Sequence, residues 1–116
     1  MKKDKTIYEL QADICKTLAS PIRIEILTAL KGGEKSVTEL IGILGISKAN
    51  VSQHLAVMRL KGILISRREG VNIYYTIANP KVVQACGLMR EVLSELLTES
   101  GKMASLLTPK NSRGAS

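Results

Sequence analysis

The chain has no tryptophan and no phenylalanine, and its three tyrosines, Tyr8, Tyr74 and Tyr75, bring the aromatic share to only 3%. Its core is therefore aliphatic, and stacking platforms built from several aromatics are excluded. It has one histidine, His54, and two cysteines, Cys15 and Cys86. Two cysteines do not make the disulfide framework of a small secreted protein. There is no glycine-rich phosphate loop, no Cys/His nucleophile pair and no carboxylate cluster, so nothing points to an enzyme. No apolar run approaches the ~18 residues of a membrane span. The basic start, Met1 to Lys5, is not followed by a signal-type apolar stretch. Acidic residues are scarce, 10 against 17 basic ones, giving a net charge of +7 and a pI near 9.7. That balance favours a polyanionic partner. A cytoplasmic protein without a cofactor is expected.

At 116 residues the chain matches one domain of about 100–150 residues. Residues 1–5 read as a polar lead. From Thr6, the residues Ile7, Leu10, Ile14 and Leu18 recur at helical spacing, and this first helix ends before Pro21. Ser20-Pro21 caps a second helix with Ile22, Ile26, Leu27 and Leu30 inward, stopped by Gly32-Gly33. Ser36-x-x-Glu39 is a capping box for a short third helix, with Val37, Leu40, Ile41 and Leu44 on its apolar face. Gly45-Ile46-Ser47 is a tight turn. Ser47 caps a fourth helix whose inner face is Val51, Leu55 and Met58, and Gly62 ends it. A β run starts at Ile63. Arg67 to Asn72 reads as a hairpin tip, with Gly70 and Asn72 suited to positive φ. Ile73, Tyr75 and Ile77 alternate with Tyr74 and Thr76 as in a half-buried strand. Asn79-Pro80 opens a long helix with a seam of Val82, Cys86, Met89, Leu93 and Leu96.

The order is α-α-α-α-β-β-α: mainly helical, with a small β-hairpin. Residues 1–100 are expected to form one domain, and 101–116 a disordered tail. Two short helices joined by a three-residue glycine-containing turn make a helix-turn-helix. A basic hairpin directly after it makes the motif winged. Residues 47–81 hold Lys48, Arg59, Lys61, Arg67, Arg68 and Lys81 against Glu69 alone, which is +5 of the total +7. Charge concentrated in this way is the footprint of phosphate binding. A helix about 10–12 Å across fits a major groove ~12 Å wide. With Val51, Leu55 and Met58 inward, Ser47, Lys48, Asn50, Gln53 and His54 face out. Asn and Gln can pair with adenine, and the hydroxyls of Ser47 and Ser52 can bind phosphate. Arg67, Arg68 and Asn72 would let the hairpin reach the backbone or minor groove. A solvated polar face, and arginines that only keep a hairpin edge soluble, are the plainer alternatives.

Three stretches occur in order: Leu18-Ala19-Ser20-Pro21-Ile22-Arg23-Ile24-Glu25-Ile26-Leu27, Ser47-Lys48-Ala49-Asn50-Val51-Ser52-Gln53-His54-Leu55, and Gly70-Val71-Asn72-Ile73-Tyr74-Tyr75. Over residues 10–98 the chain resembles the ArsR/SmtB family of bacterial and archaeal repressors. The resemblance implies a homodimeric winged-helix repressor, paired through its first and last helices. It implies binding to double-stranded DNA at an imperfect palindrome, and release by a metal, a metalloid or a thiol-reactive signal. It also makes His54 a DNA-side residue.

The family's Cys-x-Cys metal motif is matched here by Ser36-Val37-Thr38-Glu39-Leu40, which has no thiolate, and hydroxyls are poor ligands for soft metals. Residues 79–97 hold no His and no Asp, so the family's other zinc site lacks its ligands too. No metal is expected. Cys15 and Cys86 remain as candidate sensors of a redox, persulfide or metalloid signal. The family's known thiol sensors carry cysteines near Thr28 and Ser94 instead. Small buried hydrophobes are the other reading of both thiols. A ligand-independent repressor and a winged-helix protein-interaction module are the alternative functions.

Overall fold

A computed structural model describes residues 2–101, with side chains from Thr6 onward. Of the expected tail, 101–116, all but Gly101 lies outside the described residues. The elements are α1 (Lys2–Leu18), α2 (Pro21–Leu30), β1 (Lys35–Ser36), α3 (Val37–Leu44), α4 (Lys48–Leu60), β2 (Leu64–Glu69), β3 (Asn72–Ile77) and α5 (Lys81–Ser100). They fall into two compact units, residues 1–80 and residues 81–116.

In the first unit, local capping sets the helix starts. Ser20 accepts the Arg23 N–H through its hydroxyl, and Pro21 opens α2. Ser36 and Glu39 form the complete capping box: Ser36 Oγ accepts the Glu39 N–H at 3.1 Å, and Glu39 Oε1 accepts the Ser36 N–H at 2.8 Å. Ser47 Oγ accepts the Asn50 N–H at 3.2 Å. The α3–α4 turn needs a left-handed residue, supplied by Gly45 at φ 68°. At the end of α4, Gly62 donates to Arg59 O and Ile63 to Met58 O, the paired bonds that close a helix before a strand.

Ile26, Leu27 and Leu30 of α2, Leu40 of α3, and Val51, Leu55 and Met58 of α4 form the core with Ile63, Leu64 and Tyr75. It is aliphatic apart from Met58 and Tyr75, as the missing Phe and Trp require.

The structure departs from the sequence expectation in three places. Helix α1 begins at Lys2, not Thr6. The sheet has three strands in the order β1-β3-β2: Lys35 and Ser36 pair with Tyr75 and Tyr74, a strand too short to show any periodicity. The hairpin tip is only Gly70-Val71, because Arg67, Arg68 and Glu69 pair with Tyr74, Ile73 and Asn72 along the strands. Gly70 has φ 65°, and no residue other than glycine has positive φ among the described residues, so Asn72 is ordinary strand. Glycine at the first position of a two-residue loop suits a hairpin whose turn matches the strand twist.

The second unit is, in its described part, the single helix α5. It buries no residue fully. Met89, Leu93 and Leu96 of the expected seam are 68%, 52% and 58% exposed, and Cys86 is half-buried. In the first unit, Ile7, Tyr8 and Leu10 of α1 are also exposed. No helix among the described residues is long and apolar enough to cross a membrane.

Candidate nucleic-acid interface

Helix α4 is fixed from within by Val51, Leu55 and Met58, each 0% exposed. One helical turn of register then decides which residues face outward. Lys48, Ala49, Asn50, Ser52, Gln53 and Ala56 are exposed, as is the cap Ser47. Ser47 uses its oxygen as the cap, which leaves its O–H free to donate outward. Among the described residues, neither Lys48 nor the side chains of Ser52 and Gln53 have an intramolecular partner. Ala49 and Ala56, which flank Gln53 at helical spacing, were not singled out from the sequence. Both are exposed and short, so the exposed Gln53 amide is not crowded by its own helix.

A cleft of about 190 Å³ separates the starts of α3 and α4 from the wing turn. Its walls include Thr38, Lys48, Ser52, Val71 and Asn72. The fold thus brings together the expected residues Lys48 and Ser52 of α4 and Asn72 of the wing.

Two expected contacts have other partners. Arg67 makes a two-pronged pair with Glu34, Nε to Oε2 at 2.6 Å and Nη2 to Oε1 at 2.8 Å. Its Nη1 reaches Glu69 Oε1 at 3.1 Å, and the guanidinium lies 4.6 Å from the Tyr74 ring centre. The hydrogen bond from Arg67 is the main reason the Glu34 carboxyl is held below its ordinary value. The same two carboxylates hold the Arg67 cation still more firmly protonated. Arg68, the next residue, is exposed and has no ion pair among the described residues. His54 is half-buried, not fully outward, and its Nδ1 accepts the Nε–H of Arg23 at 3.0 Å. Burial, and secondarily the charge of Arg23, lower its pKa. A neutral ring with Nδ1 as acceptor carries its proton on Nε2.

The basic footprint is therefore smaller than the residue count. Lys61 is paired with Asp13 at 2.8 Å, and Arg67 with Glu34 and Glu69. In the first unit, Lys48, Arg59 and Arg68 are left as exposed cations of the 47–81 stretch without an ion pair among the described residues.

The cysteines are both free thiols, Cys15 exposed on α1 and Cys86 half-buried on α5. The family's metal position does not fit a metal here: Ser36 Oγ is used as a helix cap. Among the described residues, no three His, Cys, Asp or Glu side chains gather closely enough to hold an ion.

Arg23 and Glu34 were missed in the sequence. Their partners lie 31 and 33 residues away, and no local pattern signals such pairs.

A tri-helical core with a helix-turn-helix and a β-wing defines a winged helix-turn-helix protein. Residues 20–66 match the bacterial regulatory protein, arsR family. An uncharacterised HTH-type transcriptional regulator of Mycobacterium tuberculosis, Rv0081, is 37% identical over 98 residues, covering 84% of this chain and 86% of its own. Its crystal structure superposes with a TM-score of 0.74 at 38% identity, over 81% of this chain and 95% of that one. The transcriptional repressor PagR of Bacillus anthracis is 45% identical over 75 residues, 64% of this chain and 75% of its own. The homodimeric winged helix-turn-helix DNA-binding domain Mb0332 of Mycobacterium bovis superposes with a TM-score of 0.76 at 28% identity, over 85% of this chain and 92% of that one. This chain belongs to the arsR family of bacterial regulatory proteins. It is a transcriptional regulator and not an enzyme.

Proposed function

We propose that the protein is a cytoplasmic, homodimeric repressor that binds an imperfect palindrome in double-stranded DNA and is released by an inducer. The observation that carries this reading is the exposed polar face of α4, with Lys48 and Ser52 sharing one cleft with Asn72 of the wing. In this reading α4 enters the major groove. Asn50 and Gln53 read base edges, while Ser47, Lys48, Ser52 and Arg68 hold phosphates. Asn72 contacts the backbone beside the wing. His54 and Arg67 act mainly by holding α4 and the wing in place. PagR bears the name of a repressor, and the Mycobacterium bovis domain is homodimeric.

Dimerisation through α1 and α5 is supported by their exposed apolar residues, Ile7 and Leu10 on one and Leu88, Met89, Val92, Leu93 and Leu96 on the other. A two-fold dimer sets its recognition helices in successive major grooves ~34 Å apart. The inducer in this reading is thiol-reactive and acts at Cys15 and Cys86, the two free thiols on these helices.

Fluorescence anisotropy on the DNA upstream of the protein's own gene tests the proposal. Reduced protein is expected to bind, with affinity falling steeply as salt rises. Persulfide or mild oxidant is expected to release it, and Cys86→Ser to keep it bound. Binding unchanged by treatment would leave a ligand-independent or otherwise induced repressor. No binding in any state would favour a protein-interaction module.

A further inference from the structure

Helix α4 is joined to α1 by two polar bridges that skip the hydrophobic core. In the first, Arg23 of α2 spreads its guanidinium between two acceptors: Nε donates to His54 Nδ1 of α4 at 3.0 Å, and Nη1 donates to the Thr17 carbonyl of α1 at 3.0 Å. In the second, Lys61 Nζ, just past the end of α4, meets Asp13 Oδ2 of α1 at 2.8 Å. Asp13 and Thr17 are themselves linked, since Thr17 Oγ1 donates to the Asp13 carbonyl at 2.8 Å and Thr17 is buried. The bridges thus hold the middle and the C-terminal end of α4 to one turn of α1.

We infer that Arg23 is a positioning residue for DNA recognition, fixing the angle of α4 against α1 through His54 and the Thr17 carbonyl. The chemistry suits arginine alone. Its planar fork presents separate donors in fixed directions, whereas a lysine ammonium is a point donor that cannot span both acceptors. His54 lies on the same helix as Asn50 and Gln53, so a change in its tether re-aims the side chains that read bases. A sub-ångström error of this kind lowers specific binding and leaves general phosphate attraction intact, because no phosphate contact is lost. The tether also gives α1 a direct hold on α4. Cys15 lies between the two bridging residues Asp13 and Thr17, so a change at that turn of α1 reaches the recognition helix without crossing the core. The effect on DNA rests on reading α4 as the recognition helix; the tether itself does not.

The test uses the full chain in two arms. In the free protein above pH 7, imidazole nitrogen shifts are expected to show His54 protonated at Nε2, and Arg23→Ala to return it to the tautomer mixture of a free ring. Amides of α4 near His54 are expected to exchange about tenfold faster in Arg23→Ala and nearly as fast in Arg23→Lys. His54→Phe keeps a ring and removes the acceptor; it is expected to match Arg23→Ala, with the double variant no faster than either. In the DNA arm, Arg23→Ala is expected to lower affinity for the operator about tenfold, with random-sequence affinity and salt slope unchanged. A wild-type tautomer in Arg23→Ala, with wild-type α4 exchange in both Arg23→Ala and His54→Phe, would overturn the inference. A salt slope reduced by about one would overturn it differently, making Arg23 a phosphate contact. Failure of the wild type to bind any DNA would overturn the recognition-helix reading, while the free-protein arm would still decide the tether.

Discussion

Arg67 and Glu34 face each other through two parallel N–H···O bonds of 2.6 and 2.8 Å, so the first arginine of the wing is committed to its own protein. The pair joins β2 to the loop before β1, and the Tyr74 ring beneath the guanidinium completes the anchor. A basic dipeptide in a sequence thus divides into two roles, Arg67 as the pin of the wing and Arg68 as its free cation.

The two arginines are expected to separate in a salt titration. Arg68→Ala removes a cation available to phosphate, so it should weaken binding to all sequences and lower the slope of log K against log salt by about one. Arg67→Ala should leave that slope close to wild type and instead speed amide exchange in β2 and β3. Anisotropy at several salt concentrations, with hydrogen exchange on the free protein, measures both. A slope lowered by Arg67→Ala and untouched by Arg68→Ala would reverse the assignment.

Gln53 is exposed on α4 between Ala49 and Ala56, with no competing partner among the described residues. Its amide can pair with adenine N6 and N7. Gln53→Ala is expected to cost ~1–3 kcal/mol at one base position and nothing in the salt slope. Competition among single-base operator variants is the measurement. A uniform loss across all of them would make Gln53 a backbone contact.

Leu55 is fully buried at 0% exposure, whereas Leu60, five residues on, is 81% exposed. Leu55→Ala is expected to cost about 2–5 kcal/mol of stability, and Leu60→Ala within about 0.5 kcal/mol. Urea unfolding at one fixed protein concentration compares them, since association would add to apparent stability. An equal loss in both would mean that Leu60 is covered in the assembled protein.

Features decided within one helical turn were legible in the sequence. Ser20, Ser36 with Glu39, and Ser47 are caps whose partners lie three residues away, and Gly45 and Gly62 end helices by a local left-handed turn. The inner face of α4 followed from spacing alone. Features decided by distant pairing were not legible. Strand β1 exists because Tyr74 and Tyr75 offer it an edge, and Arg67 to Glu69 are strand because β3 pairs with them. Their polarity made them look like turn. The same blindness hid the partners of Arg67 and His54. Counting charges therefore overstated the free positive face, because Lys61 and Arg67 are paired with carboxylates.

Acid is expected to loosen the two anchors in separate windows. The pKa of His54 is lowered by burial first and the Arg23 charge second. An unfolded chain thus takes up this proton before the folded one does. The stability that depends on a neutral, buried His54 is complete above the ordinary histidine value of 6.5 and is lost as pH falls from there through the lowered one. Protonated Nδ1 would then be a donor facing a donor. Glu34 is also lowered, chiefly by its hydrogen bond from Arg67, so its contribution is complete above the ordinary 4.5 and is lost only below it. Amide exchange followed from pH 7.5 to 4, corrected for the intrinsic pH dependence of exchange, should therefore show α4 near His54 loosening first and the wing later. In His54→Phe the first step should vanish and the second remain. If the wing loosened together with α4 above pH 5, a shared rather than a two-anchor arrangement would hold the recognition surface.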